Sequence, residues 1–106
     1  MPSKRQRDRE EWAAAKQAIL LYCRVRWPRA FSPWAPLPLA IGVREALAEA
    51  AGDRFAAHQV GWFLRWWTKR SEYLEAVAQG GQRYHLDSSP AGEITEEQRA
   101  AARQQL

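Results

Sequence analysis

The chain has 106 residues, enough for one domain around a single hydrophobic core and too few for two. Hydrophobic residues make up 46% and charged residues 26%, the ordinary balance of a folded soluble protein. Cys23 is the only cysteine, which excludes an intrachain disulfide and a zinc site built from thiolates, and its neighbours Leu20, Leu21 and Tyr22 mark it as a packed, reduced thiol. No apolar run approaches transmembrane length, and the opening MPSKRQRDREEW lacks the apolar stretch of a secretion signal, so the expected compartment is the cytoplasm. Sixteen Lys and Arg against twelve Asp and Glu give a net charge of +4, and the imbalance is local. Residues 1–30 hold eight basic and three acidic side chains, and residues 31–106 hold eight and nine. A basic end of this kind points to a polyanionic partner, nucleic acid or a membrane surface, with a solvated tail as the bland alternative.

In chain order, residues 1–8 read as a flexible basic arm carrying Lys4, Arg5 and Arg7, with Arg9 at its junction to the domain of residues 9–106. From about Arg9 to Trp27 the composition is helical. Trp12, Ala15, Ile19, Cys23 and Arg26 lie on one flank, and Pro28 ends the helix by restricting the residue before it. The following FSPWAPLPL holds Pro33, Pro36 and Pro38, which forbid helix and predict a stiff extended connector. It is pinned to the core, on this reading, by Phe31, Trp34, Leu37 and Leu39. A second helix opens at Ile41-Gly42, buries Val43, Leu47 and Ala50 or Ala51, and ends at Gly52-Asp53 with glycine in a left-handed cap.

The third helix, about Ala56 to Trp67, has two faces. Val60, Phe63, Leu64 and Trp67 follow the i, i+3, i+4, i+7 spacing of a buried stripe. His58, Trp62, Arg65 and Lys69 recur at i, i+4, i+7, i+11 on the other side. Gly61 inside the helix costs about 1 kcal/mol against alanine, so something must pack or approach closely there. Thr68 or Ser71 caps a short fourth helix through Val77. After Gly80-Gly81 the period changes to two, with Tyr84 and Leu86 facing one way and Arg83, His85 and Asp87 the other, which predicts a hairpin whose loop spans residues 87–92. Thr95 to Gln98 forms a capping box for a last helix reaching about Gln105.

Catalytic constellations are missing from this pattern. His58 and His85 are the only histidines and neither stands at metal-ligand spacing to a second ligand. Asp87, Ser88 and Ser89 are accounted for by a strand-to-turn junction, and no glycine-rich phosphate loop is present. The expectation is a non-enzyme with no cofactor and no metal. The stripe of Trp62, Arg65, Trp66 and Lys69, continued by Arg70 and Tyr73, interleaves cations with rings. That pattern suits a partner with phosphates to neutralise and bases to stack on.

Taken together, Pro38-Leu39-Ala40-Ile41-Gly42-Val43, Leu64-Arg65 with Thr68, Tyr73-Leu74, and Gly80, Arg83, Leu86 and Asp87 closely resemble the ProQ/FinO family of bacterial RNA chaperones. Trp27-Pro28-Arg29-Ala30-Phe31 and the closing Gly92-x-Ile94-Thr95 also look like that family, and the match runs from about Trp27 to Leu106. The resemblance implies a mainly helical domain of about five helices with a small β-hairpin. It also implies binding of structured RNA at a hairpin base and its single-stranded 3′ tail, in support of sRNA or antisense pairing. It maps Arg65, Tyr73 and Arg83 onto RNA-contacting positions. The departures are Ala40 where the family commonly has lysine, Gly61 where it commonly has arginine, and His85 and Ser88 in the strand and turn.

The expected protein is thus a monomeric RNA binder. Arg65, Lys69 and Arg70 neutralise phosphates, Tyr73 and Arg83 line a pocket for the last nucleotides, Trp62 or Trp66 offers a stacking surface, and the Lys4, Arg5, Arg7, Arg9 arm adds non-specific attraction. Two competitors remain. One is a duplex DNA binder reading bases with the Ala56–Trp67 helix, although Ala56-Ala57-His58-Gln59 offers few base-reading groups. The other is a protein-interaction module using the Trp face as an apolar hot spot.

Overall fold

Ser3 decides where the chain becomes regular. Its hydroxyl accepts a bond from the Gln6 amide at 3.1 Å, and the first helix, α1, runs from Lys4 to Arg26 in a computed structural model that describes all 106 residues. The segment 1–8 expected as a flexible arm is therefore helical from its fourth residue. A good N-cap followed by strong helix formers, with Gln6 bonded to Glu10 one turn on, outweighs the unfavourable cations in the first turn. Ala15, Ile19 and Cys23 face inward at four-residue spacing. Burial pushes the Cys23 thiol up to about 12, so at neutral pH it is an inert packing group. The helix stops at Trp27, directly before Pro28, as expected.

The proline-rich segment is not extended throughout as expected. The chain turns over residues 28–31, where the Phe31 amide donates to the Trp27 carbonyl (3.1 Å), and bends over 33–35, with Phe31 and Leu39 almost completely enclosed. Trp34 does not pin it. It stands 86% exposed, because the Ser32 hydroxyl accepts from the Ala35 amide (3.1 Å) and closes a turn with Trp34 at its tip. Further on, the connector acts as sheet. The Tyr84 amide donates to the Pro38 carbonyl and the Ala40 amide to the Tyr84 carbonyl, both at 2.8 Å. A parallel bridge thus forms between Leu39 and Tyr84.

Helix α2 (Val43–Ala51) turns Leu47 and Ala51 inward and leaves Ile41 and Ala50 exposed. Gly52 has a positive φ of 60° but ψ of −128°, outside the left-handed helical cap predicted for it, and opens a single 3-10 turn through Arg54. Helix α3 (Ala57–Thr68) buries Val60, Phe63, Leu64 and Trp67, the four residues of the expected stripe. Phe31, Phe63 and Trp67 form the centre of the core, with ring centroids 5.3–6.3 Å apart across the aromatic cluster that includes Trp27. Helix α4 (Ser71–Gln79) starts after Arg70 with no side-chain cap. Thr68 cannot serve, since its hydroxyl donates back to the Leu64 carbonyl (2.8 Å).

Strands β1 (Gln82–Tyr84) and β2 (Pro90–Glu93) pair antiparallel. The loop is shorter than predicted, because β2 begins at Pro90, a first-strand position that tolerates the missing amide hydrogen. Asp87 builds the turn: its carboxylate accepts from the Ser89 amide (2.9 Å) and hydroxyl (2.6 Å), which hold the carboxyl below its ordinary range. Helix α5 (Glu96–Gln105) carries the predicted capping box, Thr95 and Gln98 exchanging bonds of 3.0 and 3.1 Å. It packs chiefly on α4, and the molecule measures 49 × 29 × 22 Å, long in one direction.

Candidate nucleic-acid interface

The end of α3, the start of α4, β1 and α5 meet around a depression of about 320 Å³ lined by Thr68, Lys69, Tyr73, Arg83, Gln98 and Gln105. Tyr73 supplies its floor rather than its rim. The ring is 6% exposed, and the hydroxyl is turned inward to accept the Leu39 amide at 3.0 Å. The connector carbonyl of the same residue, Leu39, accepts from Arg83 Nη1 at 2.9 Å. That bond fixes the guanidinium beside the depression, and its buried Nε has no partner within the protein. Two backbone groups of one connector residue therefore hold two of the three family-mapped side chains, Tyr73 and Arg83, in place.

Lys69 links this depression to a second feature, since it also lines an open groove of about 790 Å³ between α1 and α3. The groove walls are three indoles, Trp12 from α1 with Trp62 and Trp66 from α3. Trp12 meets the other two edge to face at 6.2 and 6.4 Å, and the Lys16 ammonium lies 5.0 Å from the Trp66 ring. Around them stand Lys4, Arg5, Arg9 and Arg65, with Asp8 as the only acid. Of the four cations predicted for the arm, Arg7 is the one that does not line the groove.

Trp12 was missed as a site residue, having been placed on the core flank. The signal was present: Lys4, Arg5, Arg9, Trp12 and Lys16 share one face once the helix is started at Ser3. Arg70 is placed differently from expectation. Its Nη2 donates to the Pro33 carbonyl (3.1 Å) and reaches Glu72 (3.5 Å), and its guanidinium lies 4.5 Å over Trp67. It fastens the connector to the core, and its buried Nη1 has no partner within the protein, whereas Arg65 and Lys69 are exposed and carry no ion pair.

Glu11 ties α1 to the start of α3. Its carboxylate accepts from Gln59 Nε2 (2.9 Å) and bonds the His58 ring (2.7 Å). These bonds, His58 first and Gln59 second, lower its pKa from the ordinary 4.5. The tether is complete above that value and is lost as the pH falls through the lowered one. Glu11→Ala is expected to speed amide hydrogen exchange over residues 4–14 at pH 7 while α4 and α5 stay protected. The unsubstituted chain should do the same once the pH falls through the lowered Glu11 pKa. Protection that survives both treatments would rule the tether out.

Three comparisons bear on this arrangement. The family model described as "ProQ/FINO family" matches residues 13–106. The chain belongs to the ProQ/FINO family. It is 36% identical over 83 residues to the RNA chaperone ProQ of Shewanella baltica (strain OS223), covering 76% of this chain and 40% of that protein. It is also 36% identical over 93 residues to the RNA chaperone ProQ of Haemophilus influenzae, covering 85% and 47%. The chain thus spans less than half the length of these relatives. Among solved structures, the fold matches a FinO-like RNA chaperone of Neisseria meningitidis MC58, with a TM-score of 0.75 and 23% identity over 97% of this chain and 86% of that one. It also matches a ProQ homologue of Legionella pneumophila, with a TM-score of 0.70 and 18% identity over 85% and 79%. The mainly helical domain with a two-stranded hairpin is therefore that of the ProQ/FINO family.

Within this ProQ/FINO framework the two departures in basic residues have different structural meanings. Ala40 is buried, with its amide committed to Tyr84. At Gly61 the Arg44 guanidinium, the far end of an exposed side chain, lies across the glycine from α2, within 3.2 Å of where a Cβ would stand. The close approach anticipated from the sequence is therefore a cation, delivered to α3 from the neighbouring helix one turn before Arg65.

Proposed function

We propose that this chain is a non-catalytic RNA-binding domain of chaperone type, recognising a hairpin with a single-stranded 3′ tail and supporting the pairing of sRNA or antisense RNA with its targets. It acts as a monomer in the cytoplasm. The observation that carries the reading is the depression floored by Tyr73, where Arg83 and Lys69 offer donors to a terminal phosphate or ribose. Arg65 and Lys69 continue the positive surface for the backbone leading away from it. The relatives named RNA chaperones, and the family itself, support the same class of partner. Reading of duplex DNA by α3 is disfavoured because His58 and Gln59, the polar groups near its start, are both taken by Glu11.

The test is binding of a labelled terminator-like hairpin with a U-rich 3′ tail, against the same hairpin with its 3′ hydroxyl blocked, the hairpin without its tail, and a matched DNA duplex. Tight binding of the first alone is expected. With about four phosphates engaged, raising salt fourfold should weaken it by roughly 50-fold. Equal affinity for all of these probes, or an affinity indifferent to salt, would overturn the reading.

A further inference from the structure

The depression at Tyr73 uses none of the three indoles, and the core does not need them all: Trp12, Trp62 and Trp66 are only partly buried, whereas Trp67 fills the interior. We propose that the groove between α1 and α3 is a second RNA site, one that takes an unpaired segment by stacking its bases on these indoles.

Two observations select that ligand chemistry. The rings present apolar surface in a groove of about 790 Å³, within the ~300–1,000 Å³ typical of small-ligand pockets. Around it stand five cations and one acid, an arrangement that attracts phosphate and repels a basic peptide. Flat faces and a phosphate chain occur together in nucleic acid, and the faces are free to stack only where the strand is unpaired. Lys16, held over Trp66, and the Glu11 tether to His58 and Gln59 keep α1 in position as a wall of the groove without occupying its mouth. Lys69 lines both features, so a strand leaving the Tyr73 depression passes directly to the groove, or a second strand lies beside it there.

This proposal rests on the RNA-binding reading and is tested separately from it. Hexaadenylate is titrated into the full chain, alone and after saturation with the tailed hairpin, with indole fluorescence as the readout. The expected result is quenching by the hexamer. Trp62→Leu should remove most of it and weaken hexamer binding roughly tenfold or more, and Trp62→Phe, which keeps a flat ring, should retain much of the affinity. Circular dichroism of both variants excludes misfolding as the cause. Hexamer binding to the hairpin-saturated protein would identify the occupant as a second strand. Mutual exclusion would identify it as the tail of the bound RNA itself. Hexamer binding without quenching, or binding indifferent to Trp62→Leu, would overturn the groove as a stacking site even if the hairpin binds. Failure of both hairpin and hexamer to bind would remove the RNA-binding reading along with it.

Discussion

Trp67→Ala is expected to destabilise the domain by about 3–5 kcal/mol, a large part of the total stability of a chain this size. Trp67 is 1% exposed, lies 19° from parallel with Phe63, and contacts Phe31 at 5.3 Å between centroids. Its ring also supports the Arg70 guanidinium that fastens Pro33, so the loss would open a cavity and loosen the connector together. Trp34→Ala, by contrast, removes a ring that is 86% exposed and should change stability by less than about 0.5 kcal/mol. Urea unfolding of the two variants reads the difference directly. Comparable midpoints would mean that the aromatic cluster is not the centre of the core.

Arg83→Ala should lower affinity for the tailed hairpin by roughly 10–100-fold, the loss expected when charge-assisted bonds disappear. Arg83→Lys should fall between, because an ammonium keeps the charge but not the planar fork that spans the Leu39 carbonyl and the depression. Since Arg83 also anchors the connector, the appropriate control is Tyr73→Phe. Loss of that hydroxyl strands the Leu39 amide and should destabilise by about 1–3 kcal/mol. If binding falls in proportion to stability across these variants, Arg83 acts through the fold alone. If Arg83→Ala loses binding beyond what Tyr73→Phe loses at similar stability, the guanidinium touches RNA.

Short-range patterns in the sequence determined the helices and the family. The inward stripe of α3 followed from helical spacing, the α5 cap from Thr95 and Gln98, and the stop of α1 from Pro28. All three depend on residues within a turn or two of each other, where period and capping chemistry are decisive. The motif set from Pro38 to Asp87 likewise identified the fold. What only the tertiary structure decided was what each long side chain meets. Arg70 and Lys69 are adjacent in sequence, yet one is taken by the Pro33 carbonyl and the Trp67 ring, and the other is free at the junction of two surfaces. Tyr73 faces the core because the connector, 34 residues away, brings an amide to its hydroxyl. Trp12 becomes a groove wall because α1 begins at Ser3 and lies across α3. Such partners are set by packing between distant segments, and no local period encodes them.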